Sequence, residues 1–189
     1  MIKKKKEGIR MGKQILVISS SPRANSNSES LSAEFLRGAM EKGHCATVIH
    51  LKDKKIQPCT GCGYCFQHKG TCTQKDDMQE LMEEMIKADV IVLASPVYFY
   101  SMNGQMKTFI DRNCFFYESL TGKEVYYIMT AADGRKESLN PVIEGFRGYL
   151  SCLPHAKECG IVRGVGAWET GEILGTDAMK LAYELGREV

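Results

Sequence analysis

The sequence predicts an α/β fold in which five parallel strands form one sheet with helices on both faces. Short apolar, β-branched runs alternate along the chain with longer segments whose apolar residues have helical spacing. Such alternation predicts right-handed crossovers and therefore a parallel sheet. The 189 residues, of which 43% are hydrophobic, are enough to bury a full core and are typical of one domain.

Residues 1–12 are predicted to be a flexible tail that precedes a domain over residues 13–189. The lysine run Lys3 to Lys6 is followed by EGIRMGKQ rather than by an apolar stretch, so no secretory signal or membrane segment is indicated. Met11 is a second candidate start of translation. The 25 basic and 23 acidic residues nearly balance, which gives no reason to expect nucleic-acid or membrane binding. We therefore expect a cytoplasmic protein.

The first half of the domain is predicted to alternate strand, helix, strand, loop and helix. QILVISS (14–20) is a short buried strand that ends in a Ser, Pro, Arg and Asn loop, and SESLSAEFLRGAMEKG (28–43) is a helix that stops at glycine. ATVIHL (46–51) is the second strand. A cysteine-rich loop at about 57–75 follows, and DDMQELMEEMIKAD (76–89) is a helix with acidic residues in its first turn.

The second half is predicted to continue the same pattern around a central strand. VIVLASPVYFY (90–100) is apolar on both faces and therefore belongs in the middle of the sheet. After it we predict two helix–strand pairs and a closing helix, in the order NGQMKTFIDRNCFF, EVYYIMTAAD, SLNPVIEGFRGYLSCL, AKECGIVRGVG and TGEILGTDAMKLAYELGREV. Five strands connected in this way are most simply a flavodoxin-like, three-layer α/β/α sheet of order 2-1-3-4-5.

The loop after the first strand, SSSPRANSNSES, has the composition of an anion site. Ligands of doubly wound sheets bind beyond the carboxyl ends of the strands, where this loop lies. Hydroxyls, amides, one arginine and the first turn of a helix suit a phosphate group. The loop lacks the glycine patterns of nucleotide-hydrolysing and dinucleotide-binding folds. The alternative interpretation is a set of helix N-caps in a serine-rich loop.

The loop after the third strand, SPVYFYSMNGQMKTFIDR, places three aromatic residues at the mouth of the central strand. On an extended segment Tyr98 and Tyr100 point to one side and Phe99 to the other, so at least one side is open to a planar ligand. They could also be ordinary core residues. A ring site beside a phosphate site predicts a mononucleotide-like cofactor.

Three motifs between about Lys13 and Arg112 resemble a known family. They are SSPRANSNS, ASPVYFYSMNGQMKTFIDR and the compact C-x2-C-x2-C-x6-C motif followed by DDM. The chain resembles the NAD(P)H-dependent FMN reductases of flavodoxin-like fold, and specifically their iron–sulfur flavoprotein branch. It departs from the family's phosphate loop in having serine for glycine at positions 20 and 26 and serine for threonine at position 28.

The resemblance implies an FMN site made by three loops. The phosphate would be held by Ser21, Arg23, Ser26, Asn27 and Ser28. The isoalloxazine ring and ribityl chain would be lined by Pro96, Val97, Tyr98, Phe99 and Tyr100, and the pyrimidine edge would be approached by Thr130, Ala131, Ala132, Asp133 and Gly134.

Four of the eight cysteines, Cys59, Cys62, Cys65 and Cys72, fall within fourteen residues. In a reducing compartment such clustering indicates metal binding or redox work rather than structural disulfides. Three cysteines spaced by two residues, with a fourth further on, can hold the corners of a [4Fe–4S] cluster. Zinc is the nearest rival, although structural zinc usually takes two well-separated Cys pairs. Free thiols or a redox disulfide is the third interpretation.

The predicted function is that of an FMN-dependent oxidoreductase. It would move electrons between NAD(P)H, or a ferredoxin-type carrier, and an acceptor, and the electrons would pass through the cluster. No catalytic side chain is required, because the cofactor carries the chemistry. The alternatives are a flavodoxin-like electron carrier without enzymatic activity and a thiol-based redox sensor. The resemblance and the aromatic segment Phe115 to Tyr117 also predict a homodimer or homotetramer.

Overall fold

The computed structural model describes residues 12–68 and 70–189 and has the predicted three-layer α/β/α architecture. The predicted tail therefore lies, apart from Gly12, outside the described residues. The strands are β1 (Gln14–Ser19), β2 (Cys45–His50), β3 (Val90–Tyr98), β4 (Ser101–Met102), β5 (Glu124–Thr130) and β6 (Lys157–Gly164). The α-helices are α1 (Asn27–Met40), α2 (Tyr64–Gln67), α3 (Met78–Lys87), α4 (Gly104–Arg112), α5 (Asn140–Leu150) and α6 (Asp177–Arg187).

The main sheet has the order β2-β1-β3-β5-β6, and all of its neighbouring strands are parallel. Apart from the short β4, this is the predicted 2-1-3-4-5 order. The apolar strand β3 lies at its centre, as predicted. Residues 90–95 of that strand are buried because helices cover both faces of the sheet.

The end of β3 differs from the prediction. Phe99 and Tyr100 do not continue the strand but form a two-residue turn, and β4 then runs antiparallel to β3. Both turn residues have positive φ, 50° and 60°, the backbone of a type I′ hairpin. The predicted alternation of Tyr98, Phe99 and Tyr100 across an extended strand is therefore wrong.

Two helix boundaries and one additional short helix also differ from the prediction. The closing helix begins at Asp177 and not at Thr170, because Gly171 and Gly175 adopt left-handed backbone conformations that a helix cannot contain. Helix α4 ends at Arg112 and is followed by two short 3₁₀ turns, 113–115 and 117–119. The cysteine loop contains the one-turn helix α2, which the sequence pattern did not indicate.

The core lies on the two faces of the sheet. One cluster includes Phe109 and Phe146, and the other is centred on Phe35 against Tyr126. Phe115 and Phe116 are buried in the first cluster, so the segment that suggested a subunit interface is satisfied within the chain. Within the described residues, no helix is long and apolar enough to cross a membrane.

Candidate functional site

The loop between β1 and α1 is held at the carboxyl edge of the sheet. The Ser20 backbone N–H and hydroxyl both donate to the Ala94 carbonyl, at 2.9 and 3.1 Å. Ser26 is the N-cap of α1 and forms a capping box with Glu29, in which each side chain accepts from the other's backbone N–H. The first turn of a helix has N–H groups without intrahelical partners, so this end of α1 suits an anion.

A second loop, which follows β6, packs against the beginning of α1. The Asn27 amide donates to the Glu169 carbonyl at 2.8 Å and accepts from the Gly171 N–H at 3.0 Å. Arg23 donates to the Trp168 carbonyl at 2.7 Å, and its guanidinium lies 5.5 Å from the centre of the Trp168 ring. The Asn27 side chain thus fixes the second loop, and Arg23 and Trp168 form the outer rim of the space between the two loops.

A cleft lies between these loops and the end of β3. It brings together nine of the residues predicted for FMN: Ser21, Arg23, Ser26, Asn27, Pro96, Val97, Tyr98, Thr130 and Ala132. Ala167, Trp168 and Thr170 complete the wall. Sequence reasoning missed these three, although their position directly after the last strand, at the same edge of the sheet, was a usable signal.

The other six predicted residues do not line this cleft. Ser28 is fully buried, with its hydroxyl 3.2 Å from that of Ser26, and Ala131 is buried while its N–H donates to the Gly164 carbonyl. Phe99, Tyr100, Asp133 and Gly134 lie outside the lining, and the Phe99 side chain is fully exposed.

Asp133 is paired with Arg135 in the loop that follows β5, at 2.7 Å. Hydrogen bonds from Arg135 lower the pKa of Asp133 to about 2. The carboxylate is therefore charged at neutral pH.

Asn103 connects the phosphate loop with α4 and was also missed. Its side-chain amide donates to the Ser20 carbonyl at 2.6 Å, and its side-chain oxygen caps α4 by accepting from the Met106 N–H at 3.1 Å. The residue is buried. The beginning of α4 and the phosphate loop are therefore fixed relative to each other.

The four predicted cysteine ligands line a second pocket. Gly61 and Gly63 have positive φ, 65° and 72°, which lets the chain turn between consecutive cysteines. The Tyr64 N–H lowers the pKa of the Cys62 thiol by donating to its sulfur, and hydroxyls of Thr73 and Thr60 add to this. The loop thus directs N–H and O–H donors at a sulfur atom.

A fifth thiol, Cys114, lines the same pocket. Its sulfur lies 3.8 Å from that of Cys65. Burial and the neighbouring Cys65 raise the pKa of Cys114 to about 11. Across residues 12–68 and 70–189, no three His, Cys, Asp or Glu side chains are grouped so that they could hold a metal ion.

A buried ion pair closes the base of the cysteine loop. Arg112 donates to both carboxylate oxygens of Asp76, at 2.6 and 3.0 Å, and to the Gln57 carbonyl at 2.8 Å. The terminal nitrogen Nη2, which donates to Asp76 Oδ1, also lies 3.6 Å from the Cys72 sulfur. Burial alone would raise the pKa of Asp76, but hydrogen bonds from Arg112 and from the Gln57 and Met78 N–H groups hold it below its ordinary value.

Helix α4 joins the two sites. It begins beside the cleft, at the Asn103 cap, and ends at Arg112 on the wall of the thiol pocket. Its nine residues correspond to a rise of roughly 13 Å. The two sites are therefore separated by roughly the length of this short helix.

Comparison with known proteins gives one family. Residues 14–154 match the family model described as NADPH-dependent FMN reductase. An iron-sulfur flavoprotein of Archaeoglobus fulgidus is 34% identical over 175 residues, which are 89% of this chain and 75% of that protein. An iron-sulfur flavoprotein of Methanosarcina thermophila is 35% identical over 100 residues, 53% of this chain and 52% of that protein. The chain thus spans only about half the length of that relative.

Solved structures agree with the fold. An NAD(P)H:quinone oxidoreductase from Methanothermobacter marburgensis superposes with a TM-score of 0.70 at 16% identity, covering 94% of this chain and 96% of that one. A protein from Bacillus subtilis described as a Trp repressor binding protein gives 0.68 at 23% identity, covering 90% of this chain and 96% of that one. At these identities the likeness concerns the fold alone.

Proposed function

The chain belongs to the NADPH-dependent FMN reductase family, and from this premise we propose that it moves electrons from NAD(P)H, or from a ferredoxin-type carrier, to an acceptor through FMN and a [4Fe–4S] cluster. Members of this family are oxidoreductases. The observation that carries the proposal is the pairing of two sites on α4, a polar cleft at one end and a pocket of thiols at the other.

The cleft offers the groups that an FMN phosphate needs. The first turn of α1 supplies backbone N–H groups, Ser21 and Ser26 supply hydroxyls, and Arg23 supplies a guanidinium at the rim. Asn27 holds the β6 loop in place. We propose FMN rather than FAD, because no second nucleotide fingerprint follows in the sequence.

The ring of the flavin would lie against the end of β3. Pro96, Val97 and Tyr98 form that side of the cleft, and Thr130 and Ala132 form the neighbouring wall. Bound FMN supplies hydride acceptance from a nicotinamide and one-electron release. The contribution of the chain is to orient the ring, with the exposed Trp168 at the rim of the cleft.

The thiol pocket offers four thiols to a cluster. Cys59, Cys62, Cys65 and Cys72 all line it. Their spacing, three cysteines separated by two residues with a fourth further on, favours a [4Fe–4S] cluster over a structural zinc ion, which usually takes two well-separated Cys pairs. The donors directed at Cys62 and the Arg112 guanidinium near Cys72 would stabilise thiolates. Such a cluster supplies one-electron transfer.

We also propose a homodimer or homotetramer and a reducing cytoplasmic compartment. Family resemblance supports the oligomer, and Phe99, Trp168 and Leu174 are large apolar side chains with at least 60% exposure that an interface would cover. All eight cysteines are free thiols, which fits a reducing compartment. Light scattering at micromolar concentration tests the oligomer, and a monomer would contradict it.

The central test is an anaerobic, iron-supplemented preparation. We expect released FMN by mass spectrometry, about four irons and four sulfides per chain, and steady NAD(P)H oxidation with an added acceptor. FAD or no flavin would overturn the flavin proposal. Flavin without iron would leave a plain FMN reductase, whereas flavin without NAD(P)H oxidation would favour an electron carrier.

A further inference from the structure

Cys114 lies next to a predicted cluster ligand without belonging to the ligand motif. Its sulfur is 3.8 Å from that of Cys65, although the two residues are 49 positions apart in the chain. Cys65 is in α2, and Cys114 is in the 3₁₀ turn that directly follows α4.

The two backbones that carry this pair are held together. The Gly70 N–H, shortly after α2, donates to the Phe115 carbonyl at 2.9 Å, next to Cys114. The pair is also accessible, because both residues are partly exposed. Cys65 and Cys114 line the thiol pocket on one side and an adjoining open cavity on the other. A small reagent can therefore approach the sulfurs from two sides.

We propose that Cys65 and Cys114 form a reversible disulfide with a low-molecular-weight disulfide such as oxidised glutathione as the oxidant, and that this bond withholds Cys65 from the metal site. The sulfur atoms must approach from 3.8 Å to about 2.05 Å. Side-chain rotation and a small movement of the one-turn helix α2 can supply such a change. The consequence for metal binding rests on the proposed cluster, but the disulfide itself does not.

The reaction is two successive thiol–disulfide exchanges. One protein thiolate attacks a sulfur of oxidised glutathione, whose S–S bond breaks; a mixed disulfide forms and one glutathione thiolate leaves. The second protein thiolate then attacks the protein sulfur of the mixed disulfide and releases the second glutathione. The two protein thiols lose two electrons, the oxidant gains them, and the two thiol protons pass to the released glutathione thiolates.

Peptide mapping tests the disulfide directly. Iron-free, flavin-loaded full-length protein is treated with oxidised glutathione, alkylated and digested with trypsin without reduction. Cleavage after Lys55, Lys69, Arg112 and Lys123 gives peptides 56–69 and 113–123, and Cys114 is the single cysteine of the latter. We expect these peptides to be linked, with fragmentation assigning the bond to Cys65 and dithiothreitol separating them.

Matched variants make the result specific. Cys114→Ser should abolish the linked peptide, whereas Cys152→Ser, an exposed thiol that does not line either cavity, should retain it. The proposal is overturned if the oxidised cysteines form bonds only among positions 59, 62, 65 and 72, or if 113–123 is recovered entirely as alkylated or glutathionylated peptide.

Iron loading separates this inference from the proposed function. After mild oxidation, wild-type protein should take up at least tenfold less iron than Cys114→Ser, and dithiothreitol should restore loading. Equal loading of the two oxidised proteins would overturn the switch. If fully reduced protein of both kinds takes up no iron, the cluster proposal fails, and the peptide map alone decides whether the disulfide forms.

Discussion

Replacing Arg112 with Met should destabilise the folded protein by about 3–5 kcal/mol, the usual loss when one partner of a buried ion pair is removed. The Arg112 and Asp76 side chains are 1% and 9% exposed, so water cannot replace the lost partner well. The guanidinium also holds the Gln57 carbonyl at 2.8 Å. The substitution therefore leaves a carboxylate and a carbonyl without their donor at the base of the cysteine loop.

Two features of the site favour the lower end of this range. Asp76 keeps hydrogen bonds from the Gln57 and Met78 N–H groups, at 3.0 and 3.2 Å. In addition, the Arg112 Nε atom has no hydrogen-bond partner within the described structure, and an unsatisfied buried donor costs about 1–3 kcal/mol. Met removes that donor along with the charge, so a loss near 3 kcal/mol is the specific expectation.

The loss of stability caused by Arg112→Met should depend on pH, and the direction of this dependence follows from the pKa of Asp76. In the wild type the pKa of Asp76 is lowered, so its contribution to stability is present above the ordinary Asp pKa of about 3.9 and disappears as pH falls through the lower folded value. Without Arg112, the pKa of Asp76 should be higher than in the wild type, because fewer hydrogen bonds then oppose the effect of burial. The difference in unfolding free energy between wild type and Arg112→Met should therefore be largest near neutral pH and narrow as the pH is lowered.

Urea unfolding of flavin-free protein at several pH values measures this difference, and a cycle with Asp76→Asn isolates the coupling between the two side chains. Lys107→Met is the control on the same helix, because Lys107 pairs with Asp111 at the exposed surface. It should change stability by less than about 1 kcal/mol. An Arg112→Met loss below about 1 kcal/mol, or a pH-independent difference, would refute the argument.

Three further predictions concern the two sites. Arg23→Ala should weaken FMN binding by about 1.5–3 kcal/mol, the contribution of a hydrogen bond to a charged group. The control Lys87→Ala, which removes a surface charge at the opposite edge of the sheet, should leave FMN binding unchanged. Equal FMN dissociation constants for the two variants would place Arg23 away from the phosphate. Replacing any one of Cys59, Cys62, Cys65 or Cys72 with serine should largely abolish iron binding while FMN stays bound. Iron analysis and flavin fluorescence can check this, and loss of both cofactors together would argue against separate sites. Replacing Phe99 with Asn and Tyr100 with Gly should stabilise the flavin-free fold by about 1 kcal/mol in urea unfolding, because Asn-Gly suits the positive φ angles of the turn. An unchanged or lower stability would contradict the inference that these two residues strain the turn.

The sequence could predict the sheet order, and could suggest residues for the two candidate sites, because both depend on local signals. Each strand is a short β-branched run, and the serine-rich loop and the four clustered cysteines are visible as consecutive residues. The position of the loops followed from the rule that ligands bind beyond the carboxyl ends of parallel strands. Nine of the fifteen residues predicted for FMN line one cleft.

The features that the sequence did not predict depend on contacts between distant segments. Cys114 is an ordinary thiol in the sequence, and it becomes relevant only because the turn after α4 packs against α2. Trp168 likewise reaches the cleft through the loop after β6. The turn at Phe99 and Tyr100 was missed for another reason, since aromatic residues favour strands and type I′ turns are usually signalled by Asn and Gly.

Helix α4 connects the loops of the two candidate sites. Its inner face is anchored in the core by the fully buried Met106 and Phe109. Asn103 at one end holds the phosphate loop, and Arg112 at the other holds the cysteine loop. The separation of the two candidate sites is thus set by α4 and not by the loops themselves. Under the proposed function, substitutions within either loop should therefore alter the binding of that loop's own ligand and leave the distance between flavin and cluster unchanged.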